Sequence, residues 1–215
     1  MVTGRRMHGE ERRRQILDVA LDVFAEQGFH GARSREIARR AGVSETLVFR
    51  HFANKERLYE EALAHLFGGH DVAADIGGEI ARADDHGVFT GVARHMLEHA
   101  RRDARILRLH LFQVLDRMRV TGDDGGAALR EGRLEALLTG YIARRGREGG
   151  LRAEAPELTA KLFLYWVFMA IADRELGLTS SPPAFGDAEL ADLLARRLLY
   201  GIAGGHDGGH LSPHD

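Results

Sequence analysis

Ser34-Arg35-Glu36-Ile37-Ala38-Arg39-Arg40-Ala41-Gly42-Val43-Ser44-Glu45-Thr46-Leu47-Val48-Phe49-Arg50-His51 carries the most specific local pattern of this chain. Its pattern predicts a short helix over 34–41, stopped by Gly42, and a second over roughly 45–51 with Ser44 as N-cap. The turn between them, Ala41-Gly42-Val43, places glycine where such a turn commonly needs a positive φ. That is helix-turn-helix spacing. Ile37 and Ala38 before the turn can bury with Val48 and Phe52 after it and so fix the crossing angle. Ser44, Glu45, Thr46, Leu47, Arg50 and His51 are then left on the outer face of the second helix. An α-helix fits the major groove of DNA, where base edges are read by short polar groups and Arg, and thymine methyls by apolar contact. Spacing alone does not separate such a unit from any other small helical hairpin.

Outward from this stretch the pattern stays helical. Residues 10–27 place Ile16, Ala20, Val23 and Phe24 on one face, with Leu17 and Leu21 beside them, at spacings of three and four. Glu10 and Glu11 stand in the first turn, where the helix dipole favours anions, and Gly28 ends the helix. Asn54 caps a fourth helix carrying Leu58, Ala62, Leu63 and Leu66, closed by Gly68-Gly69. Further helices are predicted over 72–84, 88–101, 103–119, 126–147, 156–176 and 187–203. Turn-rich breaks separate them: Asp84-Asp85-His86-Gly87, Gly122-Asp123-Asp124-Gly125-Gly126, Gly149-Gly150 and Ser180-Ser181-Pro182-Pro183. No window alternates as a strand would, and no repeat of fixed period is present. The expected architecture is all-α, with a boundary near Gly68.

Composition bounds the function. The chain has 215 residues, 44% hydrophobic, and no cysteine. A disulfide scaffold, thiolate zinc site, cysteine nucleophile or thiol redox sensor is therefore excluded. No stretch approaches the ~18 consecutive apolar residues of a membrane helix, and Met1–Arg6 lacks the apolar segment of a signal peptide. A cytoplasmic protein with no membrane partner is expected. The net charge of −2 averages two unlike parts: residues 1–60 carry twelve Lys or Arg against nine Asp or Glu, and residues 61–215 eighteen against twenty-three. A basic module on an acidic body fits that segregation.

Gly28-Phe29, then Arg35 to Ser44, then Phe49-Arg50-His51-Phe52-Ala53-Asn54-Lys55-Glu56-Arg57-Leu58, resembles the N-terminal domain of the tetracycline-repressor (TetR) family, continuously over about residues 10–60. The resemblance implies an N-terminal three-helix helix-turn-helix domain followed by a larger helical effector-binding and dimerisation domain. On that basis residues 1–60 form the arm and DNA-binding domain, with the fourth helix, from about 54, connecting. Residues 61–205 form the ligand-binding and dimerisation domain, and 206–215 a disordered tail. The family implies a homodimeric regulator, usually a repressor, that binds a double-stranded DNA operator and is released by a small-molecule effector. Ser44 to His51 would be the recognition helix and Lys55 a phosphate contact. Phe49 stands where the family often has a tyrosine whose hydroxyl meets the backbone; phenylalanine cannot donate, so its ring is expected to pack. Where a threonine commonly opens the second helix, this chain has Ala32-Arg33-Ser34. Ser34 then either caps that helix or meets a phosphate, and Arg33 is a further phosphate ligand. Arg5, Arg6, Arg12, Arg13 and Arg14 form either a DNA-binding arm or a solvated basic end.

Beyond residue 70 no motif is as specific. The segment 158–172 is apolar almost all round, so it buries more than one side. The resemblance makes it and the last helix, with Leu190, Leu193, Leu194, Leu198 and Ile202, a four-helix bundle with the partner's; packing only within the monomer is the alternative. Ligand sites are mostly apolar with a few placed polar groups. His110 and Gln113 interrupt an apolar helix, and Tyr165, Trp166 and Met169 lie on a later one, so these five are the pocket candidates against ordinary core packing. His206, His210 and His214 recur every four residues but in a Gly-rich tail, which favours a disordered end over a metal site. Asp84-Asp85 and Asp123-Asp124 read as turn formers. No catalytic, metal or cofactor set is assigned, and no phosphate-loop or nucleophile arrangement supports an enzyme. The remaining alternative is a structural or partner-regulated DNA-binding protein with no small-molecule site.

Overall fold

The computed structural model describes residues 9–67, 72–119, 131–152, 154–180 and 185–202. Among them the chain forms eleven α-helices and no strand: α1 (Gly9–Gly31), α2 (Ser34–Arg40), α3 (Glu45–His51), α4 (Lys55–Phe67), α5 (Val72–Asp75), α6 (Gly77–Arg82), α7 (Asp85–Arg102), α8 (Arg105–Arg119), α9 (Glu131–Arg147), α10 (Pro156–Leu176) and α11 (Asp187–Ile202). Arg5, Arg6, Gly68-Gly69, the 122–126 loop with Asp123-Asp124, Ser181-Pro182-Pro183 and the tail histidines His206, His210 and His214 lie outside the described residues.

The compact units do not follow chain order. Residues 99–129 group with Met1–Asp71, and Val72–Glu98 groups with Arg130–Asp215. In the first unit, the apolar stripe of α1 (Ile16, Leu17, Ala20, Leu21, Val23, Phe24) packs on Ile37 and Ala38 of α2 and on Val48 and Phe52. Leu58, Tyr59, Ala62 and Leu63 of α4 complete the cluster with Leu109 of α8. The Tyr59 ring meets Phe24 edge-on at 4.8 Å. Helix α1 breaks at Gly28, whose φ of 70° and ψ of 174° are open only to glycine. The same glycine lets α8 approach, because a Cβ there would stand 2.7 Å from the Phe112 ring. Two polar ties add to that contact. The Gln113 amide donates to the Tyr59 hydroxyl at 3.1 Å, and the Arg105 guanidinium reaches Asp22 at 2.8 Å while holding Asp103 at 2.6 Å.

The buried residues of the second unit include Val88, Phe89, Val92 and Ala93 of α7, Leu138 and Ile142 of α9, Phe163 and Val167 of α10, and Leu190, Ala191 and Ala195 of α11. Phe89 and Phe163 meet edge-on at 5.0 Å. The helix expected over 72–84 is two short ones, since Gly77-Gly78 weakens helix propagation just where α5 ends. The acidic pair before α7 divides its labour. Asp84 caps α7 by accepting from the Gly87 amide at 2.9 Å. Asp85 is more than a turn former: it accepts from the Tyr141 hydroxyl at 2.6 Å and from Arg145 Nε at 2.8 Å. Burial, reinforced by that hydrogen bond, pushes the Tyr141 hydroxyl above the ordinary tyrosine range. Helix α10 opens on Pro156 and closes at Gly177, with φ of 61°.

Candidate nucleic-acid interface

The loop between α2 and α3 is closed by the backbone alone. Val43 N–H donates to the Ala38 carbonyl at 3.0 Å and Gly42 N–H to Arg39 at 3.2 Å, with Gly42 at φ 66°. This is a Schellman motif, and it sets the direction in which α3 leaves. Ser44 then caps α3 as expected, its Oγ accepting from the Leu47 amide at 3.2 Å. Val48 and Phe52 are buried to within 1% and anchor the inner side. Outward, Ser44, Glu45, Thr46 and Arg50 are exposed, while Leu47 and His51 are half-buried at the edges of the face.

Phe49 departs from the expectation that its ring packs. It is 41% exposed. On a seven-residue helix anchored by Val48, the next residue turns through about 100° and leaves the inner side. The exposed face of α3 is therefore Glu45, Thr46, Phe49 and Arg50.

Around this face the cations divide into committed and uncommitted ones. In α2, Glu36 accepts from Arg39 Nη2 at 2.6 Å and from Arg40 Nε at 2.7 Å, and Arg40 also reaches Glu26 at 2.8 Å. The hydrogen bonds from Arg39 and Arg40 hold the Glu36 carboxyl down at about 2. Arg13 pairs with Glu61 and lies over the Phe52 ring at 4.9 Å, so it fastens α1 to α4 rather than serving an arm. Arg12 donates to Gln15 at 2.7 Å. Arg33 and Arg50 stand exposed and form no ion pair among the described residues. Ser34 does not cap α2. It is already the first helical residue, the N-cap is Arg33 in extended conformation, and no side chain caps the turn.

Lys55 opens α4 next to Asn54, whose Oδ1 accepts from the Arg57 amide at 2.7 Å as a cap should. The Lys55 ammonium donates to the Ala32 carbonyl at 3.1 Å and lies over the Phe29 ring at 4.4 Å. It ties the α1–α2 connection to the start of α4, a structural task invisible in the linear sequence. Two of its three N–H donors are left for an anion.

The five residues named as pocket candidates do not form one site within either compact unit. Gln113, held by Tyr59, and half-buried His110 lie on α8 of the first unit. Tyr165, Trp166 and Met169 lie on α10 of the second, and are 57%, 42% and 52% exposed. An open hollow of about 520 Å³ in the second unit is lined by Ala143, Gly146, Arg147, Leu151, Arg152, Glu154 and Pro156, none of the five.

Residues 16–62 match the family described as bacterial regulatory proteins, tetR family. Over 56 residues the chain is 46% identical to the transcriptional activator FasR of Mycolicibacterium smegmatis, covering 26% of each chain. Over 66 residues it is 46% identical to the transcriptional repressor Rv3405c of Mycobacterium tuberculosis, covering 31% of this chain and 33% of the other. The matched segment thus spans about a quarter to a third of those relatives. A putative TetR-family regulator from Mesorhizobium loti superposes with a TM-score of 0.59 at 22% identity, over 92% of this chain and 100% of that one, which is a likeness of fold.

Proposed function

From residues 16–62 as a TetR-family DNA-binding domain, we propose that the chain is a transcription regulator that grips a near-palindromic operator as a homodimer. The observation that carries the reading is the face of α3: Glu45, Thr46, Phe49 and Arg50 turned outward on a helix whose inner side is locked by Val48 and Phe52. One such helix offers few contacts, so two-fold pairing places two of them in successive major grooves, ~34–36 Å apart. Arg50 reads a base edge, with Ser44, Glu45, Thr46, Leu47 and His51 around it. Arg33, Ser34 and Lys55 meet phosphates.

The pairing surface is α10. Leu158, Leu162, Tyr165, Trp166 and Met169 recur at helical spacing, each 42–57% exposed, opposite the buried Ala160, Phe163 and Val167. An apolar stripe of that length left in water fits a partner helix from a second copy. On this reading Tyr165, Trp166 and Met169 serve the dimer rather than a ligand.

Repression is the sign we propose, because a dimer on an overlapping promoter excludes polymerase; one matched relative is an activator and another a repressor. Release by a small molecule would act through α8, whose contacts at Gly28, Tyr59 and Asp22 fix the domain that carries α3.

Selection of bound DNA from a random pool tests the core of this reading. A palindrome with half-sites one helical turn apart is expected, and a selected site without two-fold symmetry overturns dimeric readout. A reporter driven from that operator decides the sign. Displacement of the operator by a compound that raises the melting temperature supports an effector; displacement only by a protein partner favours the version with no small-molecule site.

A further inference from the structure

We infer that Phe49 is a specificity-determining residue that reads thymine through its C5-methyl group, on a base pair next to the one read by Arg50. The inference rests on the DNA-binding reading above and deepens it. Single exposed apolar side chains are ordinary on protein surfaces; what distinguishes Phe49 is its position. It lies in the middle of the outward face of α3, between Glu45 and Thr46 on one side and Arg50 on the other, on a helix whose other apolar residues are Val48, wholly buried, and Leu47, half-buried.

A phenyl ring has no donor or acceptor, so it can bond neither a phosphate nor a base edge. Of the groups displayed in the major groove, the one that gains by meeting a ring is the thymine methyl. Phe49 offers the largest apolar surface on that face: Leu47 is half-buried, Glu45 and Arg50 are charged, and exposed Thr46 presents a single methyl beside its hydroxyl. Residues 49 and 50 are displaced along the helix axis by about 1.5 Å, less than one base-pair rise, so the thymine and the Arg50 base fall within one or two steps of each other.

The test uses the full chain and an operator selected from random DNA. Each thymine of one half-site is replaced in turn by deoxyuridine, which removes only the methyl. Affinities are measured for the unaltered protein and for Phe49→Ala and Phe49→Leu. One replacement near the Arg50 contact should weaken the unaltered protein about fourfold, the value of one buried methyl, and change Phe49→Ala binding little. Phe49→Leu should keep most of the discrimination. Because the ring is exposed, the melting curves of both variants should match that of the unaltered protein.

Deoxyuridine that weakens Phe49→Ala as much as the unaltered protein overturns the inference, since another residue then reads the methyl. So does a Phe49→Ala variant that loses affinity equally on both DNAs, which would assign the ring to the sugar edge. Either result leaves the regulator reading standing. A chain that selects no DNA at all overturns both.

Discussion

Gly28 carries two demands at once, and its substitution separates them. The backbone there is in a region closed to side chains, and the Phe112 ring fills the space a Cβ would need. Gly28→Ala should cost about 1–3 kcal/mol from the dihedrals alone, more with the clash. Phe112→Ala in the same chain should recover the clash and not the dihedral part, so a double-mutant cycle in urea melts gives a coupling of one sign; additive effects would show that the ring simply moves aside. Lys55 has a similar double character. Lys55→Ala should weaken binding to operator and random DNA about equally and lower the salt slope by about 1. Because its ammonium also holds the Ala32 carbonyl and the Phe29 ring, the same change should lower the melting temperature. Arg50 has no such internal duty, so Arg50→Ala should relax specificity with an unchanged melt. The phosphate contact expected of Lys55 comes from the resemblance alone; its internal partners lie 23 and 26 positions away and are set by tertiary packing.

At the level of elements, α2 and α3 were legible because every local signal agreed: Gly42 after α2, Ser44 before α3, and apolar residues at 37, 38, 48 and 52. Ser44→Ala should accordingly cost about 1 kcal/mol in the melt. Two things escaped. Helix α8 reads as part of a distant body, yet Leu109 is 2% exposed within the core of the unit that carries α2 and α3; an amphipathic pattern shows that a helix has a buried face and not which neighbour covers it. Phe49 was expected to pack because it lacks the hydroxyl of the tyrosine whose place it takes, whereas the angular position that follows from a buried Val48 sends it outward. The ion-pair network of α2 has a consequence in acid. The folded state holds the Glu36 carboxyl at about 2 against an ordinary 4.5. That contribution is complete above about pH 4.5 and is lost as pH falls through 4.5 towards 2. Glu36→Gln should flatten the stability profile in that window only. The effect should be small and shrink with salt, because the group is exposed; an unchanged profile would mean the pairs are not held in solution.

For the whole molecule the decisive quantity is whether two copies meet. The formal charge of −2 hides a basic segment of net +3 over residues 1–60 and an acidic remainder of −5, so bulk attraction to DNA is weak and, in the proposed dimer, affinity comes from a few contacts made twice. Doubling them multiplies the affinities, provided the two α3 helices are held at groove spacing. In the proposed dimer the exposed stripe of α10 does that holding. A charge in its middle, Leu162→Asp, should leave the monomer fold intact, since Leu162 is 44% exposed while Phe163 next to it is fully buried. It should yield a folded monomer by sedimentation and lower operator affinity far more than affinity for an isolated half-site. Trp166, the single tryptophan of the chain and 42% exposed on that stripe, reports the same event: its emission should shift to the blue as concentration passes through the dimer dissociation constant. A Leu162→Asp chain that still sediments as a dimer would move the pairing surface off α10. A different face would then have to bring two recognition helices onto one DNA.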